Sequence, residues 1–94
     1  EVKLGVKEIS INDAREVKRA VLAAVDAGER EIDLSGVERA QSVALSVLLS
    51  ARRRAAARGG DLTVVNAPEE LRTLARLYGV EALLGFGPDK SEKA

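Results

Sequence analysis

Strand and helix signals alternate along this 94-residue chain, and the alternation predicts an α/β fold in which a parallel or mixed sheet is covered by helices. Segments with a helical apolar period start near residues 13, 42 and 69, and each closes on glycine: Gly28, the pair Gly59 and Gly60, and Gly79. Short apolar runs at 31–34 and 62–66 fall between them. No internal repeat or long linker divides the chain. One small domain over residues 1–86 and a polar tail over 87–94 are therefore expected.

Residues 1–11 alternate imperfectly, with Val2, Leu4 and Val6 on one face and Lys3, Gly5 and Lys7 opposite. Ile9 and Ile11 continue the apolar parity, which predicts one or two short edge strands. Lysines on the exposed face discourage pairing with other chains. Asn12 suits an N-cap, Asp13 and Glu16 favour the positive end of a helix, and Ala14, Val17, Val21, Ala24 and Val25 keep its period. The first helix is thus expected over about 13–27, stopped by Gly28.

Glu31 to Leu34 reads as a central parallel strand carrying Ile32 and Leu34 inward, and Ser35-Gly36 turns the chain. The second helix is expected over 42–58, ending at Gly59-Gly60, and the next strand over Leu62 to Asn66. Pro68 fits the first turn of a third helix, with Glu69 and Glu70 beside its positive end. Leu71, Leu74, Ala75 and Tyr78 form its inner stripe, and Gly79-Val80 suits a Schellman stop. Val80 to Phe86 closes the apolar pattern with another helical turn.

Composition narrows function. The core must come from Leu, Val, Ile and Ala, since 46% of residues are hydrophobic and only 2% aromatic. Without cysteine there is no thiol nucleophile or thiolate metal site, and without histidine the usual base at neutral pH and the commonest metal ligand are missing. No enzyme activity and no cofactor are expected. Fifteen basic and fifteen acidic residues cancel, and one Tyr and one Phe give bases no stacking platform, which argues against nucleic acid. The longest apolar run, Val43 to Leu49, is far short of the roughly 20 residues that cross a bilayer, and the chain opens on charged, alternating residues instead of a signal peptide. A cytoplasmic protein without direct membrane insertion is expected. The joint absence of Cys, His, Met and Trp fits either a redesigned chain or one that avoids labile residues.

The chemistry-bearing stretch is 31–42, running into the second helix. On a wheel of about 100° per residue, Leu45, Leu48, Leu49, Ala55 and Ala56 fall on one side and are expected in the core. Val43, Ser46, Val47, Ser50, Arg54 and Ala57 fall opposite, where small, mildly apolar residues suit either close approach by a partner protein or cover by the chain's own terminal segment. Arg52, Arg53, Arg54 and Arg58 suit either a complement to the helix dipole near its C-terminus or a binding patch, with Arg54 on the same face as Val43, Val47 and Ser50. Ser42 at the helix start is expected to cap an orphan amide. Alternatively it offers an exposed hydroxyl where an added phosphate would meet amides and dipole.

The run from Ile32 to Val37, a hydroxyl residue opening a leucine-rich helix, then arginines, Gly59-Gly60 and the Leu-Thr-Val-Val-Asn strand resemble the STAS domain (sulfate transporter and anti-sigma factor antagonist) over roughly residues 9–86. Residues 9–14 resemble the family's approach to its first helix. Residues 71–84 resemble most the STAS subunit of the bacterial phospholipid transporter that maintains outer-membrane lipid asymmetry. The resemblance implies a mixed sheet of about four strands with parallel core strands, three to four flanking helices, and no enzymatic activity. In the lipid-transport branch it implies a protein partner, the cytosolic ABC-transporter ATPase, met through Gln41, Ser42, Val43, Ser46, Val47, Ser50 and Arg54. In the anti-sigma branch it implies that Ser42 is a phosphoacceptor for an anti-sigma factor kinase. The sequence departs from the family where an Asp usually precedes the hydroxyl and a Gly soon follows, since Gln41, Val43 and Ala44 stand there. That departure weakens a kinase switch more than docking by shape, and leaves a redesigned STAS-like scaffold without retained function as a third alternative.

Overall fold

The computed structural model describes residues 1–87. Its elements are β1 (Val2–Lys3), β2 (Glu8–Ile9), α1 (Ala14–Asp26), β3 (Glu31–Asp33), β4 (Arg39–Ala40), α2 (Val43–Ala57), β5 (Thr63–Val65), α3 (Glu69–Leu77) and a single 3-10 turn, Glu81–Leu83. The residues of the expected tail beyond Gly87 lie outside the described residues.

Every described strand pairing is parallel. One sheet has the order β1-β3-β5, with Val2 opposite Ile32 and Ile32 opposite Val64; β2 and β4 form a second, two-stranded ladder in which Ile9 faces Ala40. Parallel strands need crossover helices, and the chain supplies them. The short strands hold the core: Ile32 and Val64 are fully buried, and the adjacent Val65 is nearly so, because β5 is covered on both faces. β4 was not legible as a strand, since two residues within a turn-like stretch carry no period of their own.

The N-terminal boundary of α1 differs from the sequence reading. Asp13, not Asn12, is the N-cap residue, and its carboxylate reaches back to accept the Ser10 N–H at 3.2 Å and the Ser10 hydroxyl at 2.8 Å. This turn breaks the strand parity after Ile9 and leaves Ile11 exposed instead of inward.

The helices end as the glycines require. At α3 the Val80 N–H donates to Ala75 O at 2.9 Å across Gly79, whose φ of +70° is the left-handed conformation a Schellman stop needs. Because α3 ends at Leu77, Tyr78 falls outside its inner stripe and is exposed, while Leu71 and Ala75 are fully buried. After the 3-10 turn Leu84 enters the core, and Phe86 bridges Val64 in parallel, with Val64 donating to Gly85 O and Gly87 donating to Val64 O, each at 2.8 Å. The Gly85 φ of +69° and its closeness to β5 leave no room for a side chain: a Cβ would sit 2.6 Å from Leu62 O. The closing segment therefore augments the sheet edge as well as making the helical turn expected of it.

Candidate functional site

The loop from β3 to α2 is fastened from three sides. Asp33, at the end of β3, accepts the Ser35 N–H at 2.8 Å and the Asn66 side-chain amide at 2.9 Å. Burial raises the Asp33 carboxyl, but these donors outweigh it and hold the group below the usual aspartate value. Asn66 adopts φ +59°, a conformation Asn tolerates better than most residues, and this aims its amide across the sheet. Further along, Lys7 O accepts from Glu38 and Arg39, and Ile9 O accepts from Gln41, so β2 grips one edge of the loop. From the other side Glu70 accepts the Ala40 N–H at 3.1 Å and the Arg39 side chain at 3.3 Å. The Ala40 amide, with Arg39 behind it, keeps the Glu70 carboxyl below its ordinary value. Finally the Gln41 side-chain oxygen accepts the Ile11 N–H at 3.2 Å.

What this clamp presents is Ser42. The residue is exposed and already helical, with φ −59° and ψ −23°, and its side chain makes no capping bond. The expected capping role is thereby corrected. A cap needs its residue in the extended region so that the oxygen can swing over the first turn; here Gln41 O and Ser42 O already accept from Ala44 and Leu45, tightening the turn.

The remaining expected contact residues separate. Gln41 and Ser46 are exposed, and Ser46 returns its hydroxyl proton to Val43 O at 2.9 Å; Val43, Ser50 and Arg54 are half-buried. Val47 is 3% exposed and belongs to the core, so its place on an outward face is overturned. The cause is α1, which packs along this side of α2 and meets it again where Arg54 donates twice to Asp26, at 2.9 and 2.7 Å. Among the described residues it is α1 that packs against that face. The core of α2 is Ala44, Leu45, Val47, Leu48, Ala51 and Ala55, an arc wider than a single stripe, and two residues expected within it are displaced: Ala56 is exposed and Leu49 only half-buried. Leu49 and Ala56 instead form an apolar shelf with Leu83, which is 59% exposed, beside Arg52 and Arg53. Sequence reasoning missed this shelf, because Leu49 falls on the same wheel side as Leu45 and Leu48.

Among the described residues no cluster of three or more His, Cys, Asp or Glu could hold a metal ion, and no helix is long and apolar enough to cross a membrane. What the geometry does show is a loop held by hydrogen bonds from β2, Asn66 and Glu70, with Gln41, Ser42 and Ser46 exposed at its tip.

Parallel ladders, three crossing helices and a serine held at the head of α2 define a domain of the STAS type. The family model described as Mlab, STAS domain, matches residues 6–85, and the chain belongs to that family. A Thermotoga maritima protein described as an anti-sigma factor antagonist shares the fold with a TM-score of 0.74 at 22% identity, covering 95% of this chain and 79% of that one. The anti-sigma factor antagonist SpoIIAA, in its unphosphorylated form, superposes with a TM-score of 0.71 at 13% identity, covering 95% and 77% respectively. No curated protein matches the chain.

Proposed function

We propose that this chain is a non-enzymatic interaction domain, an accessory subunit that binds the cytosolic ATPase of a phospholipid-transporting ABC system through the start of α2. The observation that carries the reading is the clamp around Ser42: Glu70, Gln41 and the β2 carbonyls spend their hydrogen bonds on fixing the loop, while Gln41, Ser42 and Ser46 stay exposed at its tip. A surface fixed before contact loses little conformational entropy when bound. Gln41 in place of an acid favours docking over a charge switch, and the resemblance of residues 71–84 to the lipid-transport branch supplies the partner class. Such a role places the domain in the cytoplasm. Co-expression with the ATPase of a phospholipid-transporting ABC system tests the proposal. Ser46→Glu should abolish co-purification while the thermal midpoint stays in place; a complex that survives this change sinks the assignment of the surface.

A second reading has its own support. The Ser42 hydroxyl is exposed and uncommitted to a cap, as a phosphoacceptor must be, and the two solved structures named above are described as anti-sigma factor antagonists. Under this reading a cognate kinase with ATP adds one phosphate that Ser42→Ala cannot accept. Unchanged mass after incubation would dispose of it.

A further inference from the structure

The seam between α1 and α2 opens into a shallow groove of about 380 Å³, lined by Lys18 and Leu22 of α1 and by Ser50, Arg53, Arg54 and Ala57 of α2. Its charge is lopsided. Although the whole chain is neutral, three cations line this groove, Arg58 joins Arg54 on Asp26 at its end, and Asp26 is the one carboxylate that the described ion pairs give to all four. Lys18 and Arg53 are exposed and have no ion-pair partner among the described residues. Between the charges, half-buried Leu22 and exposed Ala57 give the floor an apolar character.

From these features we infer that the α1–α2 groove is a docking site for a short acidic segment of a partner protein. Its carboxylates would lie against Lys18 and Arg53, and an apolar side chain would cover Leu22 and Ala57. The dimensions suit such a ligand: Ser50 to Ala57 spans about 10 Å of helix, the length of about three extended residues. Small anions are served poorly, because Arg54 already spends its guanidinium on Asp26 and no buried donors converge on a point. Nucleic acid is served worse, since neither aromatic residue lines the groove and the neutral chain supplies no wider field. The groove lies on the α1 side of α2, separate from the Ser42 tip, so the inference does not depend on which partner that tip meets.

Fluorescence anisotropy of the full chain with a fluorescein-labelled peptide of glutamates and two leucines tests the site. The peptide should bind, weaken steeply as salt is added, and weaken about tenfold or more with Lys18→Glu plus Arg53→Glu. Ser42→Ala, a neutral change at the tip about two helical turns from Ser50, should leave this affinity within about twofold. Circular dichroism should show the double variant folded, because both positions are exposed. Equal binding of the glutamine version of the peptide, or indifference to the double charge reversal, overturns the assignment. So does full competition by inorganic phosphate, or sedimentation with anionic vesicles when the peptide does not bind.

Discussion

The Glu70 carboxylate accepts the Ala40 N–H at 3.1 Å, joining the first turn of α3 to the strand just before Ser42. Two elements thirty positions apart thereby share one charge-assisted bond, and Arg39 adds a second, exposed contact to the same oxygen. Removing the acceptor should loosen the loop before it loosens the core. Glu70→Ala is expected to speed amide exchange at Ala40, Gln41 and Ser42 while Ile32 and Val64 stay protected, and Glu70→Gln, which keeps a neutral acceptor, should do so less. Equal protection in all three proteins would show that β2 alone holds the loop.

Val47 and Ser46 make a sharper pair, adjacent in sequence and opposite in fate. Val47→Glu places a carboxylate where only 3% of the residue reaches solvent and where no polar or charged residue is buried among the described residues, and should cost about 3–5 kcal/mol. Against a total of about 5–15 kcal/mol that is enough to lower the denaturant midpoint severely. Ser46→Glu points to water and should change stability by about 0.5 kcal/mol or less. Chemical denaturation of both variants checks the contrast, and it decides which substitution can probe partner binding without unfolding the domain.

That pair also shows how far the sequence was legible. Helix positions followed from glycine stops and the apolar period, since those signals are local: Gly28, Gly59 and Gly79 each take positive φ, and α1, α2 and α3 end just before them. Orientation of α2 was not local. Alanine and valine are compatible with either side of a wheel, and it is the neighbouring α1, distant in sequence, that turns Ala44, Val47 and Ala51 inward and releases Ala56. The clamp around Ser42 escaped for the same reason, since Glu70 looks like a helix-dipole residue until the fold brings Ala40 to it. The exposed serine itself was visible, yet its capping role was not realised because its backbone is already helical.

Asn66 carries a local strain that Asp33 turns to use. At φ +59° a residue lacking Asn's local hydrogen bonding costs about 1–2 kcal/mol, so Asn66→Ala should destabilise by that amount and also lose the 2.9 Å bond to Asp33. Asn66→Gly relieves the backbone while removing the same bond, and should fall between the two. In both variants the Asp33 carboxyl should titrate higher than in the parent, since the amide that lowers it most is gone. Carboxyl-detected NMR titration reads this directly; an unmoved Asp33 would mean that the Ser35 N–H suffices.

Asp26 should set part of the acid limb of stability. Arg54 first, and then Arg58, hold its carboxyl below the ordinary value of 3.8, against the opposing effect of desolvation. The folded state therefore binds this proton more weakly than the unfolded chain does. The sign follows from linkage: a depressed folded value contributes stability that is fully present above the unfolded value, and that is lost as pH falls through the folded one. The carboxylate is open to water, so the effect is modest and salt weakens it. Between neutrality and about pH 5, Asp26→Asn should be the less stable protein, because it cannot bind both arginines at the C-terminal ends of α1 and α2. As pH falls below the ordinary aspartate value and on through the depressed folded one, the two denaturation midpoints should converge. Parallel midpoints across the whole acid range would show instead that α1 and α2 are joined by their apolar seam alone, with the two arginines contributing nothing measurable.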